Sequence, residues 1–315
     1  MNVLITELIW PIGIEKLEEA AVVDYDPTLW ADRELLQQRI GQADALIVRN
    51  QTKVDAELLR SAGQLKAIGR LGVGLDNIDL SAAKQYRVPV VYARNANAIA
   101  VAEYVLAAML ETSRALHQAH HDVRQGNWDR RRHTGVELYG KTIGLIGMGE
   151  IAHRVAKRAA SFGMNMLGFD PFVAAYDFAP AETGIAPVSL SQLLSHSDFI
   201  SVHIPLTAQT KSLLSTRQFQ HMKPHAYLIN TSRGGIVDES ALLQAVQHGT
   251  IAGAFLDVLE QEPIDPANPL LHCEKVVITP HVAGLTEESQ VRTSLLVAEE
   301  IIKILRGEFS LCAIT

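Results

Sequence analysis

The 315-residue sequence predicts an α/β protein with two doubly wound parallel sheets. Three observations carry that prediction. The chain is too long for one ordinary core and suits two domains of roughly 150 residues each. Short apolar, β-rich runs recur along its whole length. Amphipathic stretches separate those runs, and strands this apolar need helices on both faces of their sheet.

In chain order, strands are expected at Val3–Ile5, Ala45–Val48, Leu65–Ile68 and Val88–Val91, with helical patterns at Arg33–Ile40 and Ala56–Ser61. The first five strands are placed within residues 1 to about 94. A helix from about Ala98 to Arg114 leads into a second series of strands: Thr142–Ile146, Asn165–Phe169, Phe199–His203, Ala226–Asn230, Ile251–Leu256 and Val276–Thr279. The last amphipathic helix, about Glu287–Leu305, is long enough to return to the first unit. The expected units are therefore residues 1–94 plus 286–315, and residues 95–285. Neither a repeat nor a low-complexity linker interrupts the pattern.

Composition narrows the function classes. With 48% hydrophobic and 20% charged residues the chain reads as an ordinary soluble globular protein. A net charge of -7 gives no footprint for nucleic acid or a membrane surface. Cys273 and Cys312 stand alone without CxxC spacing, which excludes disulfide scaffolds and zinc ribbons and suggests buried, reduced thiols in a cytoplasmic protein. The start "MNVLITELIW" lacks the marks of a signal peptide. The longest apolar stretch, Ile99–Leu110, contains Glu103 and is too short to span a bilayer.

The segment "TIGLIGMGEIAHRVAKRAASFGMNMLGFD" holds the sharpest local motif. Gly147, Gly149 and Ala152 form G-x-G-x-x-A between an apolar strand and a helix, and a second strand ends at Asp170, 23 residues after Gly147. The first glycine permits a tight turn, and the second lets backbone approach a pyrophosphate. The small third residue lets helix and strand pack, while the helix N-terminus attracts phosphates. Asp170 is then placed to accept hydrogen bonds from the adenosine ribose. No arginine lies between Arg158 and Arg217 to clamp a 2′-phosphate, so NAD is favoured over NADP.

Three further residues follow strands of the same sheet. Arg233 comes after "YLIN", Glu262 lies in "LDVLEQEP", and His281 lies in "VVITPHVAG". Ligands of open parallel sheets bind beyond the carboxyl ends of the strands. A small anionic 2-hydroxy acid needs its carboxylate held, its hydroxyl proton removed and its C2 hydride directed at a nicotinamide. Arg233 offers a planar fork of donors to the carboxylate. His281 is the candidate acid/base, because an imidazole's ordinary pKa near 6.5 suits both directions. Glu262 would orient that ring and stabilise its protonated form.

The chain resembles the D-isomer-specific 2-hydroxyacid dehydrogenases, most of all the branch acting on 3-phosphoglycerate. The resemblance rests on "VRNQTKVD", "GRLGVGLDNIDL", "NANAIAVAEYVLAAML", "GNWDRRRHTGVELYGKTIGLIGMGEIA", "HIPLT", "NTSRGGIVDE", "LDVLEQEP" and "TPHVAG", in family order across nearly the whole chain. It implies two Rossmann-like domains with the active site in the cleft between them. The first would be a flavodoxin-like substrate domain and the second the NAD-binding domain. It also implies that Arg233, Glu262 and His281 are the catalytic set. Val73 and Gly74 would turn their amides to substrate and nicotinamide, and Glu150 and Ile151 would offer amides to the pyrophosphate. Ile204, Thr231, Ser232, Asp257 and the run His281, Val282, Ala283, Gly284 would line the cofactor groove. Arg49 matches the position that reaches the distal end of the substrate.

The resemblance further implies a homodimer built on the helix from Ala98 and the arm containing Trp128. Arg124 or the Arg130–Arg132 run of a partner subunit would then join Arg49 on a distal phosphate, sulfonate or second carboxylate. His133 replaces an aromatic residue common in the branch. No regulatory domain follows the last helix, so end-product control is not expected. Glyoxylate or hydroxypyruvate reductase and sulfolactate-type dehydrogenase are the alternatives within the family. A non-catalytic, corepressor-like NAD(H) sensor is the alternative of another class. Glu262 counts against formate dehydrogenase, whose histidine usually pairs with glutamine.

Other constellations read as structural. His117, His120 and His121 have metal-like helical spacing without an evident acidic or cysteine partner, so no metal site is expected. Arg130–Arg132 in an acidic chain suits a subunit interface or an anionic substrate better than nucleic acid. Ser232 lacks the G-x-S-x-G elbow of a hydrolase nucleophile. His203, before Pro205, is expected to support the structure near the cofactor.

Overall fold

The structure is a computed structural model that describes residues 1–174 and 177–314. In chain order the elements are β1 (Asn2–Ile5), α1 (Pro11–Glu18), β2 (Val22–Tyr25), α2 (Arg33–Ile40), β3 (Ala45–Val48), α3 (Ala56–Ser61), β4 (Ala67–Arg70), α4 (Leu80–Gln85) and β5 (Val90–Tyr92). There follow α5 (Ala98–Arg114), α6 (Leu116–Arg124), β6 (Thr142–Ile146), α7 (Glu150–Ser161), β7 (Asn165–Phe169), α8 (Phe178–Thr183), β8 (Ala186–Pro187), α9 (Leu190–His196) and β9 (Phe199–Val202). The chain continues through α10 (Thr216–Phe219), β10 (Tyr227–Asn230), α11 (Glu239–Gln247), β11 (Gly253–Leu256), β12 (Val276–Ile278), α12 (Glu287–Leu305) and β13 (Ala313–Ile314). Two compact units result: Met1–Asn97 with Leu285–Thr315, and Ala98–Gly284.

The first unit holds a six-stranded sheet in the order β13-β5-β4-β3-β1-β2, parallel except for β13. Its central strands are buried on both faces; β3 is "ALIV" with all four residues buried. Leu36, Ile40, Leu58 and Ile68 belong to one core cluster, and Val297, Ala298 and Ile301 of α12 belong to another with Val3, Ile5 and Ile47. Aspartates start three helices by satisfying orphan backbone donors. Asp32 accepts from Leu35 N, Asp55 from Leu58 N and Asp79 from Ala82 N. The strand order reverses direction between β1 and β3, which is where a sheet of this kind opens a ligand crevice.

The second unit holds a seven-stranded, all-parallel sheet in the order β12-β11-β10-β9-β6-β7-β8. Helix α5 buries Ala102, Val105, Leu106 and Met109 in a cluster with Ile143, Leu145, Val155 and Ala159. The opposite core gathers Leu193, Ile200, Leu228 and Leu242. Here the order reverses between β6 and β9.

Two parallel α/β sheets are what the alternating apolar runs predict, with corrections in detail. β4 spans Ala67–Arg70 instead of Leu65–Ile68, because its ladder with β3 begins at Ala45↔Ala67 and Lys66 turns out to pair with Asp44 at 2.8 Å. β11 begins at Gly253, not Ile251, where its ladder with β10 starts. The two-residue strands β8 and β13 are too short for any periodicity to announce. Both cysteines are half-buried rather than fully buried.

Candidate active site

In the second unit the catalytic and cofactor candidates follow the carboxyl ends of parallel strands. Gly147 and Gly149 follow β6, Asp170 follows β7, and Ile204 follows β9. Thr231, Ser232 and Arg233 follow β10, Asp257 and Glu262 follow β11, and His281–Gly284 follow β12. The topology gathers them on one edge of one sheet.

The glycine loop sits at the switch point. Gly147 has φ +91°, and a Cβ there would lie 2.5 Å from the His203 carbonyl oxygen, so only glycine lets the β6 and β9 loops approach. Gly149 is the N-cap of α7, and a Cβ on it would meet nothing within 4 Å. With no side chain at the cap, the first-turn N–H groups of α7 face open space, the setting that attracts phosphate. Asp170 ties the loop down: Oδ2 accepts from Met148 N at 2.9 Å and Oδ1 from Phe172 N at 2.9 Å. Each oxygen keeps a lone pair for a ribose hydroxyl.

Beyond β10, Asn230 shapes the turn that carries Arg233. Its Oδ1 accepts from Ser232 N (3.1 Å) and Ser232 Oγ (2.9 Å), while its Nδ2 donates to the Arg233 carbonyl at 3.0 Å. Arg233 Nη1 donates to the Ser232 carbonyl at 2.6 Å. Gly234 completes the turn, since a Cβ there would lie 1.7 Å from the Leu259 carbonyl oxygen. That close approach brings the Arg233 loop against the loop bearing Glu262.

Glu262 and His281 are in direct contact. His281 Nδ1 lies 2.9 Å from Glu262 Oε2, and Oε1 of the same carboxylate accepts from Leu259 N at 3.0 Å. Burial works to raise the Glu262 carboxyl, but the hydrogen bonds from His281 and Leu259 and the charges of His281 and Arg233 outweigh it. The group is held below its ordinary value. An ionised carboxylate can only accept, so Nδ1 carries a proton and Nε2 is the nitrogen left to exchange one.

His281 has φ +56°, an uncommon conformation for a residue with a side chain. Asp257, 1% exposed, imposes it. The Asp257 carbonyl accepts from His281 N at 2.9 Å, Oδ1 accepts from Thr279 Oγ1 (2.6 Å) and Val282 N (2.7 Å), and Oδ2 from Ala283 N (2.8 Å). Tyr104 of α5 extends this chain through a 2.6 Å contact with Thr279 Oγ1. Sequence reading missed Tyr104 and Asn230. For Asn230 a signal exists, an Asn closing a strand before a polar turn; for Tyr104 none does.

The site fits a dinucleotide on structural grounds besides the motif. Thr231 Oγ1 and both ring nitrogens of His203 are buried without a hydrogen-bond partner among the described residues. They follow β9 and β10 on the same edge of the sheet as the glycine loop, polar groups that a bound ligand would satisfy. Burial also pushes the His203 imidazolium down to about 3, so the ring is neutral. In the first unit, Arg49 follows β3, and Val73 and Gly74 follow β4. Among the described residues no cluster of three His, Cys, Asp or Glu suits a metal, and no helix is long and apolar enough to cross a membrane. His121 Nε2 instead contacts Gln125 at 2.8 Å, while His133 and Arg132 both meet Asp122, at 3.0 and 2.9 Å.

Comparison with known proteins identifies the family. Residues 106–283 match the family model described as D-isomer specific 2-hydroxyacid dehydrogenase, NAD binding domain. D-3-phosphoglycerate dehydrogenase of Archaeoglobus fulgidus is 42% identical over 307 residues, covering 98% of this chain and 58% of that protein. The Methanocaldococcus jannaschii protein of the same name is 42% identical over 315 residues, with the same two coverages. The chain thus spans little more than half the length of these relatives. A crystal structure of a protein from Thermus thermophilus superposes with a TM-score of 0.92 at 32% identity, with both chains covered completely. A glyoxylate reductase from Paecilomyes thermophila gives 0.86 at 28% identity, covering 100% of this chain and 98% of that one. The cofactor of the matched domain is NAD, and the chain belongs to the D-isomer-specific 2-hydroxyacid dehydrogenase family.

Proposed function

We propose that the chain is an NAD-dependent dehydrogenase of D-2-hydroxy acids, with 3-phosphoglycerate and its 2-keto partner as the preferred pair. The observation that carries the reading is the 2.9 Å contact between His281 Nδ1 and Glu262 Oε2 on the edge that also holds the glycine loop. Bound NAD supplies the hydride acceptor, or as NADH the donor. Gly149, Glu150 and Ile151 hold its pyrophosphate through backbone amides, and Asp170 holds the adenosine ribose. Thr231 and the 281–284 turn line the rest of its path.

The protein's own part is charge and proton transfer. Arg233 binds the substrate carboxylate and polarises the C2 oxygen with its fork of donors. His281 Nε2 takes the C2 hydroxyl proton as the alcohol is oxidised and returns it to the carbonyl oxygen on reduction. Glu262 keeps the ring in the tautomer that leaves Nε2 free and stabilises the imidazolium. Arg49, Val73 and Gly74 are assigned to the substrate, Arg49 to its distal anion. The names of two relatives 42% identical to this chain support the phosphoglycerate choice.

We further assign a homodimer formed through α5 and the arm after it, on which Leu116, Trp128 and Tyr139 are 64%, 78% and 77% exposed. Free Cys273 and Cys312 fit a cytoplasmic setting.

Reduction of a panel of 2-keto acids by NADH tests the assignment. Turnover is expected, with the highest kcat/KM for 3-phosphohydroxypyruvate. NADH binding without reduction of any 2-keto acid would replace the enzyme with a redox sensor. A best rate on glyoxylate would remove the phosphoglycerate choice alone.

A further inference from the structure

The switch point of the first unit's sheet is built around a buried carboxylate. Glu7, just after β1, is 3% exposed. Its Oε1 accepts from Arg49 N (2.8 Å) and Thr52 N (2.9 Å), and its Oε2 from Asn50 N (3.0 Å) and Gln51 N (2.8 Å). Four successive amides converging on one anion make a backbone nest, a structure that elsewhere binds phosphate or carboxylate ligands. Thr6 Oγ1 reinforces the loop through Thr52 Oγ1 at 2.7 Å, and Asn77 Nδ2 donates to the Thr52 carbonyl at 2.8 Å.

The protein has therefore filled with its own carboxylate the nest that a ligand of this crevice would otherwise enter. Recognition of an anion there falls to the Arg49 side chain. That side chain is held as well. Arg49 Nη2 donates to Gln290 Oε1 at 2.9 Å, and Gln290, on the first turn of α12, is 7% exposed. Burial works against the Arg49 charge, and the Glu7 carboxylate works for it.

We propose that Glu7 and Gln290 are the positioning pair for Arg49. Glu7 fixes its backbone and supports its charge, Gln290 fixes its guanidinium, and together they set a preference for substrates with a distal anion. This inference rests on the assignment of Arg49 to that anion. Replacing Glu7 by glutamine is informative because an amide nitrogen would then face two backbone donors that now point at an oxygen.

The test compares 3-phosphohydroxypyruvate with hydroxypyruvate, the same skeleton without the phosphate, using NADH and the full chain. Glu7→Gln and Gln290→Leu should each raise KM for the phosphorylated substrate about tenfold or more, the worth of one charge-assisted hydrogen bond. Both variants should keep the parent kcat on both substrates and the parent KM for hydroxypyruvate. Glu7→Asp, which retains both acceptor oxygens, should recover part of the loss.

Equal KM rises for the two substrates, a shared fall in kcat, or no change would overturn the proposal. If Glu7→Gln does not fold, Gln290→Leu decides by the same readouts. Arg49→Ala separates the two readings. Should it leave KM for the phosphorylated substrate unchanged, the Arg49 assignment fails and takes the pair with it. Should it raise KM while the Glu7 and Gln290 variants do not, only the positioning claim fails.

Discussion

Two glycines two residues apart should respond to the same substitution in opposite ways. A Cβ at Gly147 would lie 2.5 Å from the His203 carbonyl oxygen and 2.8 Å from the carbonyl carbon, rigid backbone in both cases, at a φ of +91°. The left-handed conformation costs about 1–2 kcal/mol for a residue with a side chain, and overpacking against a fixed wall adds roughly 1–3 kcal/mol. Gly147→Ala should therefore lose about 3 kcal/mol, a fall in Tm of roughly 6–12 °C for a unit of this size.

At Gly149 a Cβ meets nothing within 4 Å. Alanine stiffens the unfolded chain but is a poorer N-cap, so stability should stay within about 1 kcal/mol of the parent. In the proposed assignment this open space is where the pyrophosphate comes against backbone. Gly149→Ala should therefore weaken NAD binding at least about tenfold, the loss of one charge-assisted hydrogen bond. Thermal unfolding of both variants, with NAD titrations by calorimetry, reads out the contrast. A Gly147→Ala protein as stable as the parent would refute the crowding argument. A Gly149→Ala protein with parental NAD affinity would refute the placement of the cofactor.

Two further predictions follow from the same edge of the sheet. Asp170→Ala removes both the proposed ribose acceptor and the clamp on Met148 N, so NAD should bind more weakly and the preference for NAD over NADP should shrink; an unchanged ratio of the two KM values contradicts the ribose role. His203, neutral because burial lowers it to about 3, gives a stability term with a definite sign. The unfolded histidine gains a proton as pH falls below about 6.5 and the folded one does not until about 3, so stability is full above that window and drains away within it. Between pH 6.5 and 5 the loss is roughly 1.5–2 kcal/mol. Urea unfolding at the two pH values should show that slope in the parent and a shallower one in His203→Leu; equal slopes exclude His203 as its source.

What could be read from the sequence divides along physical lines. The fold was legible because strands buried on both faces must be continuously apolar, as "ALIV" and "TIGLI" are, and because glycine at a strand–helix junction has few other uses. Arg233, Glu262 and His281 stood out because each is a polar residue just past such a strand. What stayed hidden depends on long-range contacts. Glu7 meets the amides of residues 49–52 more than forty positions away, and no periodicity marks it. The resemblance implies a cofactor contact for Asp257, while the three hydrogen bonds its carboxylate accepts around the turn that carries His281 are visible only in the structure. Tyr104 reads as one more residue of a helix. The cysteines were expected inside because thiols usually are, and both are only half-covered.

The central claim is that the His281 imidazole, oriented by Glu262, moves the substrate proton, while the turn that carries it and not the ring itself lines the cofactor's path. Steady-state turnover of a 2-keto acid with NADH by His281→Ala, measured beside NADH binding to the same protein, tests it most directly. The account predicts turnover lost by at least about a hundredfold, the usual contribution of a general acid, with NADH affinity within a few-fold of the parent. A variant that still turns over at a near-parental rate would contradict it.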